Sequence, residues 1–215
     1  MIFVCAMTMA QTNAYPLLPM PQNYKVTDKS FAMGKVKLST PVLESEWEAF
    51  IVNAGGELAD KAAAEIKVEL LPVIDGVKLN PDEAYRLSVS GKLIKIEAVT
   101  ERGVYWALQT LRQLEKKKGK KSLFAGCEIV DWPAFRIRGF MQDVGRSYIS
   151  VEELKREIEI LSRFKINVFH WHLTENQAWR LESKIFPMLN DSINTVRMPV
   201  SYTHLRAHET CADLV

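Results

Sequence analysis

The chain has 215 residues, of which 47% are hydrophobic and 25% charged, and a formal net charge of +2. That composition suits one large globular domain or two small ones. No apolar stretch reaches the ~18 residues of a membrane span, and the one basic run, Lys116 to Lys121, has no interleaved aromatics, so it reads as a solvated turn and no nucleic-acid partner is expected.

In chain order, "MIFVCAMTMAQTNA" opens with an apolar run, and the small residues Thr8 and Ala10 precede Gln11, as before a signal-peptidase cut. The usual positive charges at the start are missing. Residues 1–19 are expected to be a signal peptide and lead-in, which implies export to a periplasmic or extracellular location; the alternative is a loose N-terminal arm. Cys5 falls in that segment and Cys211 near the end, which leaves Cys127 without a partner. No disulfide framework is expected, and Cys127 reads as a small buried hydrophobe.

"SFAMGKVKLS" alternates weakly and predicts a strand. "SEWEAFIVNAGGELADKAAAEIKVEL" is helical in parts, with Gly55-Gly56 as a break, and "AEIKVELLPV" then alternates as a strand around Ile66, Val68 and Leu70. Asn80-Pro81-Asp82 marks a turn. "AYRLSVSGKLIKIEAV" alternates on both sides of Ser90-Gly91 and predicts a β-hairpin. "ERGVYWALQTLRQLEKK" follows as a helix, with Val104, Leu108, Leu111 and Leu114 at helical spacing. Residues 20–130 therefore predict a small α+β domain.

Trp132-Pro133 marks a boundary, because proline cannot continue a regular element. Residues 136–143 read as a short strand. "SVEELKREIEILSRF" is a helix with Ser150 as N-cap and Glu153 three residues on, a capping box; Val151, Leu154, Ile158 and Leu161 form its apolar stripe, and Glu152 and Arg156 are spaced for an ion pair. "INVFHWHL" follows as a second strand. Strand, helix, strand is a βα unit feeding a parallel sheet.

In a β/α barrel, chemistry gathers at the C-terminal ends of the strands. Those ends carry Asp143 and Arg146 after the first strand, and His172, Glu175, Asn176 and Gln177 after the second. Arg146 offers a planar fork suited to a carboxylate or to neighbouring sugar hydroxyls, and equally to a structural ion pair with Asp143 or Glu175. His170 and His172 lie on one face of a strand. His-x-His there can bind a metal, as in metal-dependent barrel hydrolases, or the histidines can be hydrogen-bonded members of a barrel interior.

"RIRGFMQDVGRSYISVEELKREIEILSRFKINVFHWHLTENQAWRLESKIFPMLN" resembles the opening of the catalytic barrel of family 20 glycoside hydrolases, the β-N-acetylhexosaminidases. The resemblance rests on Arg138-Gly139, Asp143, Arg146, His170-Trp171-His172 and Glu175 in that order. "EAYRLSVSGKLIKIEAVTERGVYWALQTLRQL" also resembles the end of the small domain that precedes the barrel in this family. Together the resemblance covers roughly residues 20–198. It implies an α+β N-terminal domain followed by the first βα units of a truncated TIM (β/α)8 barrel, with the barrel start spanning 131–199. Residues 200–215, "VSYTHLRAHETCADLV" with its preceding boundary, depart from the family and read as an artefactual tail.

The resemblance further implies a retaining, substrate-assisted hydrolysis of terminal N-acetyl-hexosamine residues from glycans, in which the substrate's own acetamide is the nucleophile, with no cofactor and no metal. Arg146 matches the arginine that grips hydroxyls of the terminal sugar. Glu175 matches an acidic position, commonly Asp, that supports the machinery through a histidine; Asp143 and His172 match framework positions at the strand ends. The family's catalytic Asp-Glu pair, which follows a Gly-Gly near the fourth strand, has no counterpart here, and Asp82-Glu83 sits in a turn. From Phe135 onward there are 81 residues, against about 250 for a whole barrel. The chain is expected to be inactive by itself. The alternatives are a non-catalytic carbohydrate-binding or scaffold fragment and a metal-dependent barrel hydrolase.

Overall fold

A computed structural model describes residues 16–175 and 178–190, and the chain divides into two compact units between Arg136 and Ile137. Of the expected signal and lead-in, 1–19, residues 1–15 lie outside the described residues, as do Cys5, Cys211 and the tail from residue 200. Among those described, no helix is long and apolar enough to cross a membrane.

The first unit is built in chain order from β1 (Asn23–Val26), β2 (Phe31–Ala32), β3 (Lys35–Ser39), α1 (Glu44–Asn53), β4 (Glu57–Leu58), β5 (Ala64–Leu70), β6 (Tyr85–Ser90), β7 (Leu93–Ala98), α2 (Glu101–Gln113), β8 (Glu115–Lys118), β9 (Lys121–Phe124) and β10 (Cys127–Asp131). Seven strands form a mixed sheet in the order β1-β10-β6-β7-β5-β3-β4, and β2, β9 and β8 form a small second sheet. The β6–β7 hairpin has the register Leu87↔Ile96 and Val89↔Ile94. Its period-2 pattern therefore stacks Tyr85, Leu87, Val89, Ile94 and Ile96 on one face, all buried. The opposite face is charged: Lys95 pairs with Glu97 at 2.6 Å and Glu69 at 3.0 Å, and Arg86 with Glu97 at 3.1 Å.

The helices supply the rest of the core. Trp47, Phe50 and Ile51 come from α1, and the rings of Phe50 and Phe124 meet at 5.5 Å between centroids. Helix α2 is N-capped by Thr100, whose hydroxyl accepts the Arg102 N–H, and it buries Val104, Ala107, Leu108 and Leu111. Gly103 lets its first turn lie on the start of β6, because a Cβ there would sit 2.3 Å from the Ala84 carbonyl oxygen.

Two local expectations change. "SFAMGKVKLS" makes two strands in different sheets. The helix predicted to run through Lys117 ends at Gln113, and the lysine run forms both arms of the β8–β9 hairpin, turning at Gly119 with φ 63°. The reason lies outside the local sequence: Lys117 reaches the Asn53 carbonyl at 2.8 Å, and β9 also pairs with β2. Asp82-Glu83, expected as a turn, lies in a 3-10 turn, Pro81–Glu83, and works structurally: Glu83 is buried and accepts the Trp106 Nε1–H at 2.7 Å, while Asp82 pairs with Arg102 at 3.4 Å.

Two buried carboxylates thus have donors. Besides Glu83, Asp131 accepts the Tyr85 hydroxyl at 3.0 Å and the Gln22 N–H at 3.1 Å. Burial first, and the Asp131 charge second, push the Tyr85 phenol well above its ordinary value, so it stays a donor. Cys127 is buried and free, and burial pushes its thiol up to about 12, in keeping with an inert core residue.

The second unit comprises β11 (Gly139–Asp143), α3 (Val151–Arg163), β12 (Val168–His172), β13 (Thr174–Glu175) and β14 (Ala178–Trp179). β11 and β12 pair in parallel and β13 and β14 antiparallel. The capping box of α3 is formed as predicted, with Ser150 Oγ accepting the Glu153 N–H and Glu153 accepting the Ser150 N–H, both at 3.2 Å. Its stripe is only partly realised: Leu154 is buried, whereas Ile158 is exposed, and Glu152 and Arg156 form no ion pair. Residue Lys165, with φ 61°, turns the chain out of the helix; Arg138 donates from Nε to its carbonyl at 2.7 Å and from its backbone N–H to Asn167 Oδ1 at 2.9 Å. Arg138 therefore clamps the N-terminal ends of the two strands. Among the described residues of the second unit, β11 and β12 are the one parallel strand pair, and there is no closed barrel.

The buried Trp106–Glu83 bond yields a stability test. Replacing Trp106 by Phe keeps an aromatic ring but removes the N–H donated to a buried carboxylate. Urea denaturation of the chain should show a loss of about 1–3 kcal/mol with an unchanged m-value.

Candidate functional site

The site is assembled at the C-terminal ends of β11 and β12. Their register pairs Gly139 with Val168 and ends with Asp143 opposite His172. A one-residue slip would have sent the two side chains to opposite faces of the sheet. The pairing continues past β11, where the Val144 N–H donates to the His172 carbonyl at 3.1 Å.

Asp143 organises the loop that follows. Its Oδ1 accepts the N–H of Gly145 at 2.9 Å and of Arg146 at 3.2 Å, and its Oδ2 takes the Arg146 Nε–H in an ion pair. Gly145 is needed at this bend, because a Cβ would lie 2.9 Å from the Cβ of Glu175. Partial burial pushes the Asp143 carboxyl up, but the hydrogen bonds from the Arg146 side chain and backbone, its charge and the Gly145 N–H together outweigh burial and hold it below the ordinary carboxylate range. In turn the hydrogen bond to Asp143, then its charge, and more weakly the charge of Glu175, raise Arg146. The Arg146 side chain remains 58% exposed, so its other donors face outward.

On the neighbouring strand, His172 Nε2 lies 3.2 Å from Glu175 Oε2. The ligating atoms of Asp143, His172 and Glu175 all fall within 4.8 Å of one another, so one imidazole and two carboxylates converge. Such donors are chemically able to hold a divalent cation. A cation bound here would have to compete with the Arg146 guanidinium already seated on Asp143. His170, the other half of the His-x-His motif, is exposed, its ring 6.0 Å from that of His172, and it does not join the convergent group. Asn176 and Gln177, expected on the same rim, lie outside the described residues.

All four singled-out residues, Asp143, Arg146, His172 and Glu175, thus meet at one strand-end rim. Arg180 and Tyr148 were not anticipated. Arg180 is buried at 4% exposure and donates from Nε to the Val144 carbonyl at 2.9 Å, with its guanidinium carbon 6.0 Å from the Tyr148 ring centroid. An arginine after a tryptophan carries no pattern that foretells burial, since arginine is ordinarily exposed.

The model named "Glycosyl hydrolase family 20, domain 2" matches residues 14–132, and the model named "Glycosyl hydrolase family 20, catalytic domain" matches residues 135–206. The chain belongs to glycosyl hydrolase family 20. A beta-hexosaminidase of Porphyromonas gingivalis is 32% identical over 217 residues, covering 93% of this chain and 28% of that protein. One from Vibrio furnissii is 34% identical over 182 residues, covering 81% of this chain and 29% of that protein. Among solved structures, a family 20 exo β-N-acetylglucosaminidase from Vibrio harveyi, in complex with N-acetylglucosamine, matches with a TM-score of 0.69 at 34% identity, over 82% of this chain and 28% of that one. A β-N-acetylhexosaminidase from Bacteroides fragilis matches with a TM-score of 0.70 at 29% identity, over 82% of this chain and 37% of that one. The chain spans less than a third of the length of the two beta-hexosaminidases. In family terms, it carries an N-terminal domain and part of a catalytic domain.

The Asp143–Arg146 pair makes the loop pH-dependent. The carboxyl is depressed in the folded chain, so its contribution is present above the ordinary Asp value of ~3.9 and is lost as pH falls through the lower folded value. Slowed exchange of the Arg146 Nε–H, followed by NMR, should persist at pH 5 and disappear only below about pH 4. Asp143→Asn should abolish it at every pH.

Proposed function

We propose that this chain supplies the sugar-gripping first wall of a β-N-acetylhexosaminidase active site. In this reading β11, α3 and β12 open a (β/α)8 barrel, preceded by the small α+β domain. The enzyme would remove terminal N-acetyl-hexosamine residues from glycans with retention, the substrate acetamide serving as nucleophile. An intramolecular nucleophile of this kind can behave as if present at ~10⁵ M or more when well oriented. The observation that carries the proposal is the Arg146 guanidinium, held by Asp143 at a strand-end rim with its other donors exposed, beside the His172–Glu175 pair. The similar Vibrio harveyi enzyme, crystallised with N-acetylglucosamine, supports the choice of sugar.

In this reading the residues take the roles that the family resemblance implies, and the geometry is compatible with them. Arg146 presents parallel N–H donors to adjacent hydroxyls of the terminal sugar. Asp143 keeps that fork in place and neutralises it. Glu175 orients His172. No general acid is assigned within the chain: its one Asp-Glu neighbour pair, Asp82-Glu83, is committed to Arg102 and Trp106 in the first unit. The export signal proposed for the first residues fits an enzyme that meets glycans outside the cytoplasm.

Two outcomes test this. The purified 215-residue chain should show no turnover of an aryl N-acetylglucosaminide. Turnover that a substitution within these residues abolished would overturn the division of labour. In a complete family 20 enzyme bearing this segment, Arg146→Lys keeps the charge but loses the fork. Removing one hydrogen bond to a charged group, worth about 1.5–3 kcal/mol, should lower kcat/KM roughly 10- to 150-fold at an unchanged melting point. A change within about twofold would mean that Arg146 does not hold substrate.

A further inference from the structure

The second unit contains a buried charge that the functional reading leaves unused. Arg180 follows β14 and its backbone N–H donates to the Leu173 carbonyl at 2.9 Å, which ties it to the end of β12. Its side chain is 4% exposed. Nε donates to the carbonyl of Val144, but among the described residues neither Nη1 nor Nη2 meets an acceptor, although both are buried. The hydroxyl of Tyr148, whose ring lies beside the guanidinium, is likewise buried without a partner. Burial lowers Arg180 from its ordinary value, with no carboxylate acting against it. A buried guanidinium without a counter-ion is unfavourable, and an apolar side chain of similar length would fill the volume at less cost. What the apolar side chain could not do is hydrogen-bond Val144 and lie against Tyr148 at once.

Those two contacts bracket Arg146. Val144 lies two residues before it and Tyr148 two after. The loop is held by Asp143, through the N–H groups of Gly145 and Arg146. Arg180 adds a hold at both of the loop's flanks. We propose that Arg180 is a positioning residue that sets the place of the Arg146 guanidinium by anchoring Val144 and Tyr148. The functional consequence rests on the reading of Arg146 as the sugar contact; the anchoring itself does not.

Hydrogen exchange by NMR on the 215-residue chain tests the anchoring. The reporters are the N–H groups of Gly145 and Arg146, with the Leu154 N–H of α3, bonded to the Ser150 carbonyl, as the reference for the unit as a whole. Arg180→Met should speed exchange at Gly145 and Arg146 about tenfold, while Leu154 stays within about twofold. Arg180→Lys, which keeps a donor but not the planar fork, should fall between Met and the native chain. Tyr148→Leu should loosen the same two amides. If Arg180→Met does not fold, Arg180→Lys is judged by the same comparison. Equal loss at Leu154 would make Arg180 a general stabiliser and overturn the proposal, as would unchanged exchange at Gly145 and Arg146. Kinetics of Arg146→Lys test the sugar contact separately. A loop loosened by the Arg180 variants together with an Arg146→Lys enzyme of native kcat/KM would retain the anchoring and reject the sugar reading.

Discussion

The carboxylate of Asp143 is the constraint on which the second unit's chemistry depends. One side chain accepts two backbone N–H groups and one guanidinium N–H, so the direction in which the chain leaves β11 and the direction in which Arg146 points are set by the same two oxygens. Charge makes this arrangement strong: hydrogen bonds to an ionised acceptor are roughly twice as strong as neutral ones. Geometry makes it possible, because the parallel register with β12 stops Asp143 beside His172. Glu175 then comes close to both, against a glycine that has no Cβ to obstruct it.

The two units handle buried charge differently. In the first, Glu83 and Asp131 are removed from water but receive donors from Trp106 and Tyr85, so helix α2 and strands β6 and β10 are tied together through polar groups as well as by their shared core. Truncating such a donor leaves a desolvated acceptor, which costs more than the bond contributed. In the second unit Arg180 keeps two donors without acceptors. An incompletely satisfied buried group is expected where position matters more than stability. Its contacts with Val144 and Tyr148, on either side of Arg146, fit that account.

The solvent face of the main sheet shows charge used without burial. Lys95 joins Glu97 and Glu69, and Glu97 also takes Arg86. The Lys95 hydrogen bond, followed by that from Arg86 and despite burial, lowers Glu97, and Lys67 followed by Lys95 lowers Glu69. Exposed pairs of this kind contribute little to stability in salt. Their clearer role is to keep a wide sheet face hydrated and its strands in register.

Much of this was legible in the sequence. Alternation in "AYRLSVSGKLIKIEAV" determined a hairpin, because period 2 with a Ser-Gly turn has few other solutions, and Ser150 with Glu153 determined where α3 begins. The order Asp143, Arg146, His172, Glu175 marked one rim, because strand, helix, strand implies parallel neighbours whose ends coincide. Other features were settled only by tertiary contacts. The lysine run became two strands, since its arms pair with each other, β9 also pairs with β2, and Lys117 reaches the last residue of α1. Spacing gave α3 an apolar stripe, yet burial is a property of what lies opposite a residue, which periodicity does not contain: Leu154 is buried and Ile158 exposed. Arg180 was invisible for the same reason: its sequence neighbours say nothing of the Val144 carbonyl 36 residues away, and only the folded chain brings donor and acceptor to 2.9 Å.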